Sequence, residues 1–288
     1  MGRNGLDRLF GLVIIAAAGW PSLAVAAEKP VITWVLTAPP PIHFDPATGL
    51  KGVKDEVLDW FDAHLPQYTI ETSDAGVLRS LDYLKQQDGF CFPGLARTAE
   101  RESYIAYSKP ALWALPDRIT VSAENAARVE KLVGADGSVT IKDMLVRSSL
   151  EGNREAGRGY PEAIAADFDR YGTAGNLLPI PNDADRFGML VSGRFTWTMI
   201  DPATAHWIFG SQFPDFRYRT FAIAGYHEPV PVAFACSKKP LGLQIIRDLD
   251  ALIEAHGKEG IWQAAYDRWL DPQALDALHR FEAAHPGR

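Results

Sequence analysis

The sequence is short of the features that most directly declare a function. It has only two cysteines among 288 residues, Cys91 and Cys236. Neither has a histidine at metal-ligand spacing, which argues against a zinc site. There is no His-Glu-x-x-His, no Gly-x-Ser-x-Gly nucleophile elbow and no Cys and His pairing in a defined context, so the common hydrolase signatures are missing. Lys and Arg number 29 against 36 Asp and Glu, a formal net charge of −7, and no basic run interrupts that balance. The electrostatic footprint of a nucleic-acid binder is therefore absent, and the expected partner is a small molecule. Internal repeats, low-complexity tracts and long Gly/Ser linkers are also lacking, and no metal or cofactor is implied. Beyond the first segment no apolar run is long enough to span a bilayer.

What is present describes a foldable globular chain. Apolar residues make up 47% and aromatics 11% of it, enough for a real core in two compact units or one large one. Residues 1–26 stand apart: Arg3 and Arg8 precede an apolar stretch from Leu9 to Trp20, followed by Pro21 and the small residues Ala24 and Ala26. This is the pattern of a cleavable signal peptide, the apolar stretch being too short for a membrane anchor. No cysteine follows to accept a lipid. An exported chain without a tether is retained only inside an outer membrane, so the expected location is the periplasm, an oxidising compartment.

The apolar periodicity then alternates between the two regular structures. Val31 to Leu36 reads as a buried strand that must end at Pro39-Pro40-Pro41. Val53, Val57, Leu58, Phe61 and Leu65 recur at helical spacing until Pro66, Tyr68 to Thr72 alternates as a strand, and Val77, Leu78, Leu81 and Leu84 mark another helix. Strand–helix alternation implies an α/β fold with a parallel, helix-covered sheet. From Asp117 the texture repeats. Thr140 and Asp143 open a short helix, a Gly-rich stretch runs from Gly152 to Gly159, Asn182 is placed to cap a helix bearing Phe187, and Asp201-Pro202 restarts a helix after the strand Phe195 to Ile200. Val230 to Cys236 is strand-like, and long helical stripes follow to Leu270. Cys91 and Cys236 both lie in apolar strand-like runs, and from the residues alone two buried thiols and one long-range disulfide both stand open.

Four local signatures carry a resemblance. Pro40-Pro41-Ile42-His43-Phe44, with Gly49 and Gly52 before an acidic helix start at Asp55, is the first. Thr98-Ala99-Glu100-Arg101 followed by Tyr107-Ser108-Lys109-Pro110 is the second. The third is the strand ending in Asp201, and the fourth is the carboxyl end from Ser237-Lys238-Lys239-Pro240 to Gly260, Ile261, Trp262, Tyr266 and Trp269. Together they resemble the extracellular family 3 solute-binding proteins, the type II two-lobed periplasmic binding proteins, over nearly the whole mature chain. The resemblance implies two α/β lobes joined by two crossing segments, with 27–118 and 230–288 forming a discontinuous first lobe and 119–229 the second. It also implies that the strands bearing Cys91 and Cys236 share a sheet, which favours a disulfide between them.

The function implied is capture of a small polar ligand, an amino acid or related carboxylate, in an interlobe cleft by hinge closure, for uptake through an inner-membrane ABC permease, the chain acting as a monomer. In that family the motif arginine, here Arg101, grips the ligand carboxylate, for which a planar guanidinium is better matched than an ammonium. Asp201 is at the position that receives the ammonium. Thr98 offers a further hydroxyl, Gly159 and Tyr160 border a loop ahead of a helix, and His43, Phe44 and Trp113 are candidate pocket walls. Each has a structural alternative: Arg101 paired with Glu100 or Glu102, Thr98 and Asp201 as helix caps, the Gly-rich loop as a connector with Arg158 solvated, and Phe44 as core. One departure is Ala96, where the family often has Ser or Thr, so an expected ligand hydroxyl is missing. Two other readings keep the same fold: a sensor or partner-binding protein, and a periplasmic dehydratase-like enzyme using His43 or Glu151 as acid or base.

Overall fold

The computed structural model describes residues 28–181 and 185–286. The expected signal peptide and Asn182 lie outside them. Strand β1 (Val31–Val35) buries Ile32 and Trp34 completely and leads to the proline run, where the Pro40–Pro41 bond is cis. Helix α1 (Val53–Ala63) starts where Asp55 folds back to accept a hydrogen bond from the Gly52 N–H at 2.7 Å. Strand β2 (Thr69–Ser73), helix α2 (Val77–Gln86) and strand β3 (Phe90–Pro93) follow, and β1 pairs in parallel with both β2 and β3. The short helix α3 (Ala99–Glu102) precedes the long strand β4 (Ile105–Ala114).

The chain then crosses into a second sheet. Its elements are β5 (Arg118–Ser122), α4 (Ala123–Glu130), β6 (Ser138–Val139), α5 (Ile141–Val146), β7 (Gly152–Glu155), α6 (Glu162–Tyr171), β8 (Leu177–Ile180), α7 (Arg186–Val191), β9 (Trp197–Ile200), α8 (Pro202–Ser211) and β10 (Tyr218–Ile223). Thr140 caps α5 as the sequence predicts, whereas the side chain that caps α7 is Asp185, which accepts from the Gly188 N–H at 2.9 Å. The chain returns along β11 (Val230–Ser237) and closes with α9 (Pro240–His256), α10 (Ile261–Asp267) and α11 (Pro272–Ala284).

The strand orders are β2-β1-β3-β11-β4 and β6-β10-β5-β9-β7-β8. The first sheet is mixed rather than purely parallel, because β11 enters from the other sheet and runs antiparallel to both β3 and β4. The second is mixed likewise, with β5 antiparallel to β9 and β10. Each sheet has its own core. Phe61 stacks on Trp262 at 4.7 Å and meets Phe234 of β11 edge-on, so α1 and α10 pack together as a layer on the first sheet. Phe168 and Trp197 stand against each other in the second. No helix among the described residues is long and apolar enough to cross a membrane.

Cys91 and Cys236 are register partners on β3 and β11 and form a disulfide, both fully buried. Four residues past Cys236, the start of α9 is pinned by Asp88, whose carboxylate accepts from the N–H groups of Gly89, Leu241 and Gly242 at 2.9, 3.0 and 2.8 Å. Burial disfavours that charge, but the backbone donors outweigh it and hold the carboxyl below its usual range.

Candidate functional site

Between the two sheets lies a cavity of about 430 Å³, within the size range of small-molecule sites. One wall comes from the β1–α1 loop, the start of α1 and the segment after β3. The other comes from the β7–α6 loop and the starts of α7 and α8. Arg101 enters from the first wall. Thr98 caps α3 by accepting from the Arg101 N–H at 3.3 Å, which fixes the backbone that carries the guanidinium. The side chain is buried without an acidic partner among the described residues; its Nη1 donates to the Ala96 carbonyl at 2.7 Å and its Nη2 to the Gly157 carbonyl on the far wall at 2.9 Å. Five N–H donors leave the fork with capacity to spare. The approach depends on Gly159: a Cβ there would stand 2.7 Å from Arg101 Nη1 and 3.0 Å from the Ala96 methyl. The role of Gly159 is thus to let the guanidinium in, rather than to present an N–H at a helix start, since α6 begins only at Glu162.

Asp201 faces the cavity from the second wall while capping α8, accepting from the Thr204 N–H at 3.0 Å. Burial and the neighbouring Asp117 push its carboxyl above the usual range against that hydrogen bond. Such a group gains most from an incoming cation.

The same wall holds an ionic network. Arg158 is not solvated: its Nη2 donates to Asp117 at 2.5 Å and its Nη1 to the Met199 carbonyl at 3.3 Å and to Glu155 at 3.5 Å. Glu155 also accepts from Arg186. Burial opposes the charge on Arg158, but Asp117 and Glu155 overcome it and raise its pKa, whereas Arg186 is lowered by burial and by Arg158. These two arginines are therefore committed within the protein.

Other residues expected at the site lie elsewhere. His43 Nδ1 pairs with Asp55 at 2.6 Å at the start of α1, and it is its neighbour Ile42 that lines the cleft. Phe44 packs on Trp207 and Trp269 at 5.1 and 5.7 Å, away from the cavity. Trp113 has both backbone polar groups held by the Gln263 side chain and its ring against Phe281. The Tyr160 hydroxyl accepts from the Glu155 N–H at 3.0 Å and its ring meets Phe168 edge-on, so it braces the network from behind. Glu151 does not line the cavity; its carbonyl accepts from the Thr196 N–H.

Lys54 was not anticipated. It is buried on α1 and reaches the cavity with its ammonium 4.5 Å from the Phe92 ring centroid, donating to the Thr37 carbonyl at 3.3 Å. Burial lowers its pKa to about 7. The unfolded chain then holds a proton between pH 7 and 10.5 that the folded chain lacks, so stability rises with pH across that window. Relative to Lys54→Met, the solute-free protein should gain stability from pH 7 to 10 with a slope rising to about 1.4 kcal/mol per pH unit. Urea midpoints at each pH check this, and parallel profiles for the two proteins would contradict it.

Two lobes with a charged cleft between them settle the architecture. The chain has the two-lobed periplasmic-binding-protein fold. Among solved structures it is similar to a protein of glutathione import in Streptococcus mutans, with a TM-score of 0.67 and 12% identity over 86% of this chain and 100% of that one. An ancestral arginine-binding protein bound to arginine gives 0.61 and 16% over 85% and 99% of the two chains. A putative L-cystine ABC transporter protein from Listeria monocytogenes gives 0.61 and 17% over 85% and 97%. No protein-family model and no curated protein matches the sequence. The likeness is one of fold, carried by topology at low identity.

Proposed function

We propose that this chain is an exported solute-binding protein that captures a small amino-acid-like carboxylate between its lobes and delivers it to an inner-membrane ABC permease. In this reading residues 1–26 direct export to the periplasm, 27–118 with 230–288 form one jaw, and 119–229 form the other. The observation that carries it is the buried guanidinium of Arg101, free of any acidic partner among the described residues, opposite the half-buried carboxyl of Asp201 in one cavity. A zwitterion satisfies both at once. Because it touches both jaws, it favours the closed form by the full difference in contacts. An ancestral arginine-binding protein bound to arginine or to glutamine and a putative L-cystine ABC transporter protein share this fold, which supports an amino-acid ligand class.

The test is a thermal-shift panel of amino acids, amines and organic acids on the mature chain. A ligand present at a hundred times its Kd should stabilise by about 2.7 kcal/mol, raising Tm by roughly 5 °C or more. A flat response across the panel would overturn capture of a small solute in favour of a partner-binding role, and chemical turnover of a bound solute would favour an enzyme.

A further inference from the structure

The cleft contains one unpaired basic group that carboxylate capture by Arg101 does not use. Lys54 is buried in the wall that also carries Arg101, and no acid lies within ion-pair reach of it among the described residues. Asp55, its neighbour on the helix, is directed elsewhere: its carboxylate takes His43 and the N–H groups of Gly52 and Phe44. The other cleft cations are accounted for, since Arg158 and Arg186 are paired with Asp117 and Glu155. A buried lysine with only a carbonyl and an aromatic face beside it is a costly choice at a helix position that a methionine of similar length fills without desolvating a charge. A local rule broken where the side chain meets a cavity marks a group kept for binding.

We propose that Lys54 is a second anion subsite beside Arg101, so that the ligand carries two anionic groups and belongs to the acidic amino acids or dicarboxylates. This rests on the reading of the cleft as a carboxylate clamp and adds to it. The ionisable groups left unpaired within the cleft are Arg101 and Lys54 on one wall and Asp201 on the other, and an anion beside Lys54 favours its protonated form. Two anions and one ammonium complete that set, whereas a cationic side chain sent toward Lys54 meets a like charge in a dry site.

Isothermal titration of the mature chain and of Lys54→Met at pH 7 with L-glutamate, L-aspartate, glutarate, L-glutamine and L-arginine tests the assignment. The wild type should prefer the acidic probes to L-glutamine by roughly thirtyfold or more, the scale of a buried charge-assisted contact. In Lys54→Met that preference should collapse to near parity while circular dichroism stays native. Tightest binding of L-glutamine or L-arginine, or an unchanged preference in the variant, would overturn the Lys54 assignment and leave the Arg101 clamp standing. Absence of binding by all five probes would overturn both.

Discussion

Replacing both cysteines, Cys91→Ala with Cys236→Ala, should lower the unfolding free energy by about 5 kcal/mol on the loop-entropy scale, because the bond closes 145 residues of chain. The loop it closes holds the entire second sheet, from β5 to β10. Cleaving it frees the unfolded chain more than any short-range staple does. Alanine rather than serine is the right replacement, because both sites are fully buried in the first core and a hydroxyl there would lack a partner. The expected result is a large fall in the urea midpoint, matched by the wild type unfolded in the presence of dithiothreitol. Equal midpoints with and without reductant would show that the bond is absent or contributes nothing.

Glu155→Gln should cost on the order of 3–5 kcal/mol, the usual penalty for stranding a buried charge. Glu155 is the acid shared by Arg158 and Arg186. With it neutral, two largely buried guanidinium groups face each other with Asp117 as the one remaining acid of the network, and Arg186 loses its ion pair. The cost is a stability effect and a positional one, since both arginines shape the wall opposite Arg101. Chemical denaturation against an exposed control, Glu124→Gln, which should change stability by less than about 0.5 kcal/mol, checks it. Equal small effects for the two variants would mean that the network is solvated and contributes little.

The alternation of strands and helices was legible because each element buries one face, and the Asp-Pro start of α8 reads directly from Asp201-Pro202. Strand β4 was hidden by Pro110, which a sheet interior rejects. The ladder between β4 and β11 slips register beside Ala233, the partner of Pro110, and so accommodates it. Helix α11 lies beyond the stripes that the apolar periodicity marks, although Asp271-Pro272 repeats the same start signal, with Asp271 accepting from the N–H groups of Gln273 and Ala274. Arg101 and Asp201 stood out as motif positions. The network did not, because Asp117 and Arg186 come from segments far from Glu155 and Arg158 that only folding brings to them. Lys54 had a signal that its residue type masked: it falls on the same helical face as Leu58 and Phe61, which predicts burial whatever the side chain. His43 and Phe44 misled for a local reason, since the turn into α1 spends His43 on Asp55 and points Phe44 at two tryptophans.

The direct test of the clamp is calorimetric titration of the mature chain and of Arg101→Ala with the solute that gives the largest thermal shift. The account expects the variant to remain folded and to lose about a hundredfold or more in affinity, the loss that follows when one partner of a buried charge pair is removed. Equal affinity in the two proteins would contradict it.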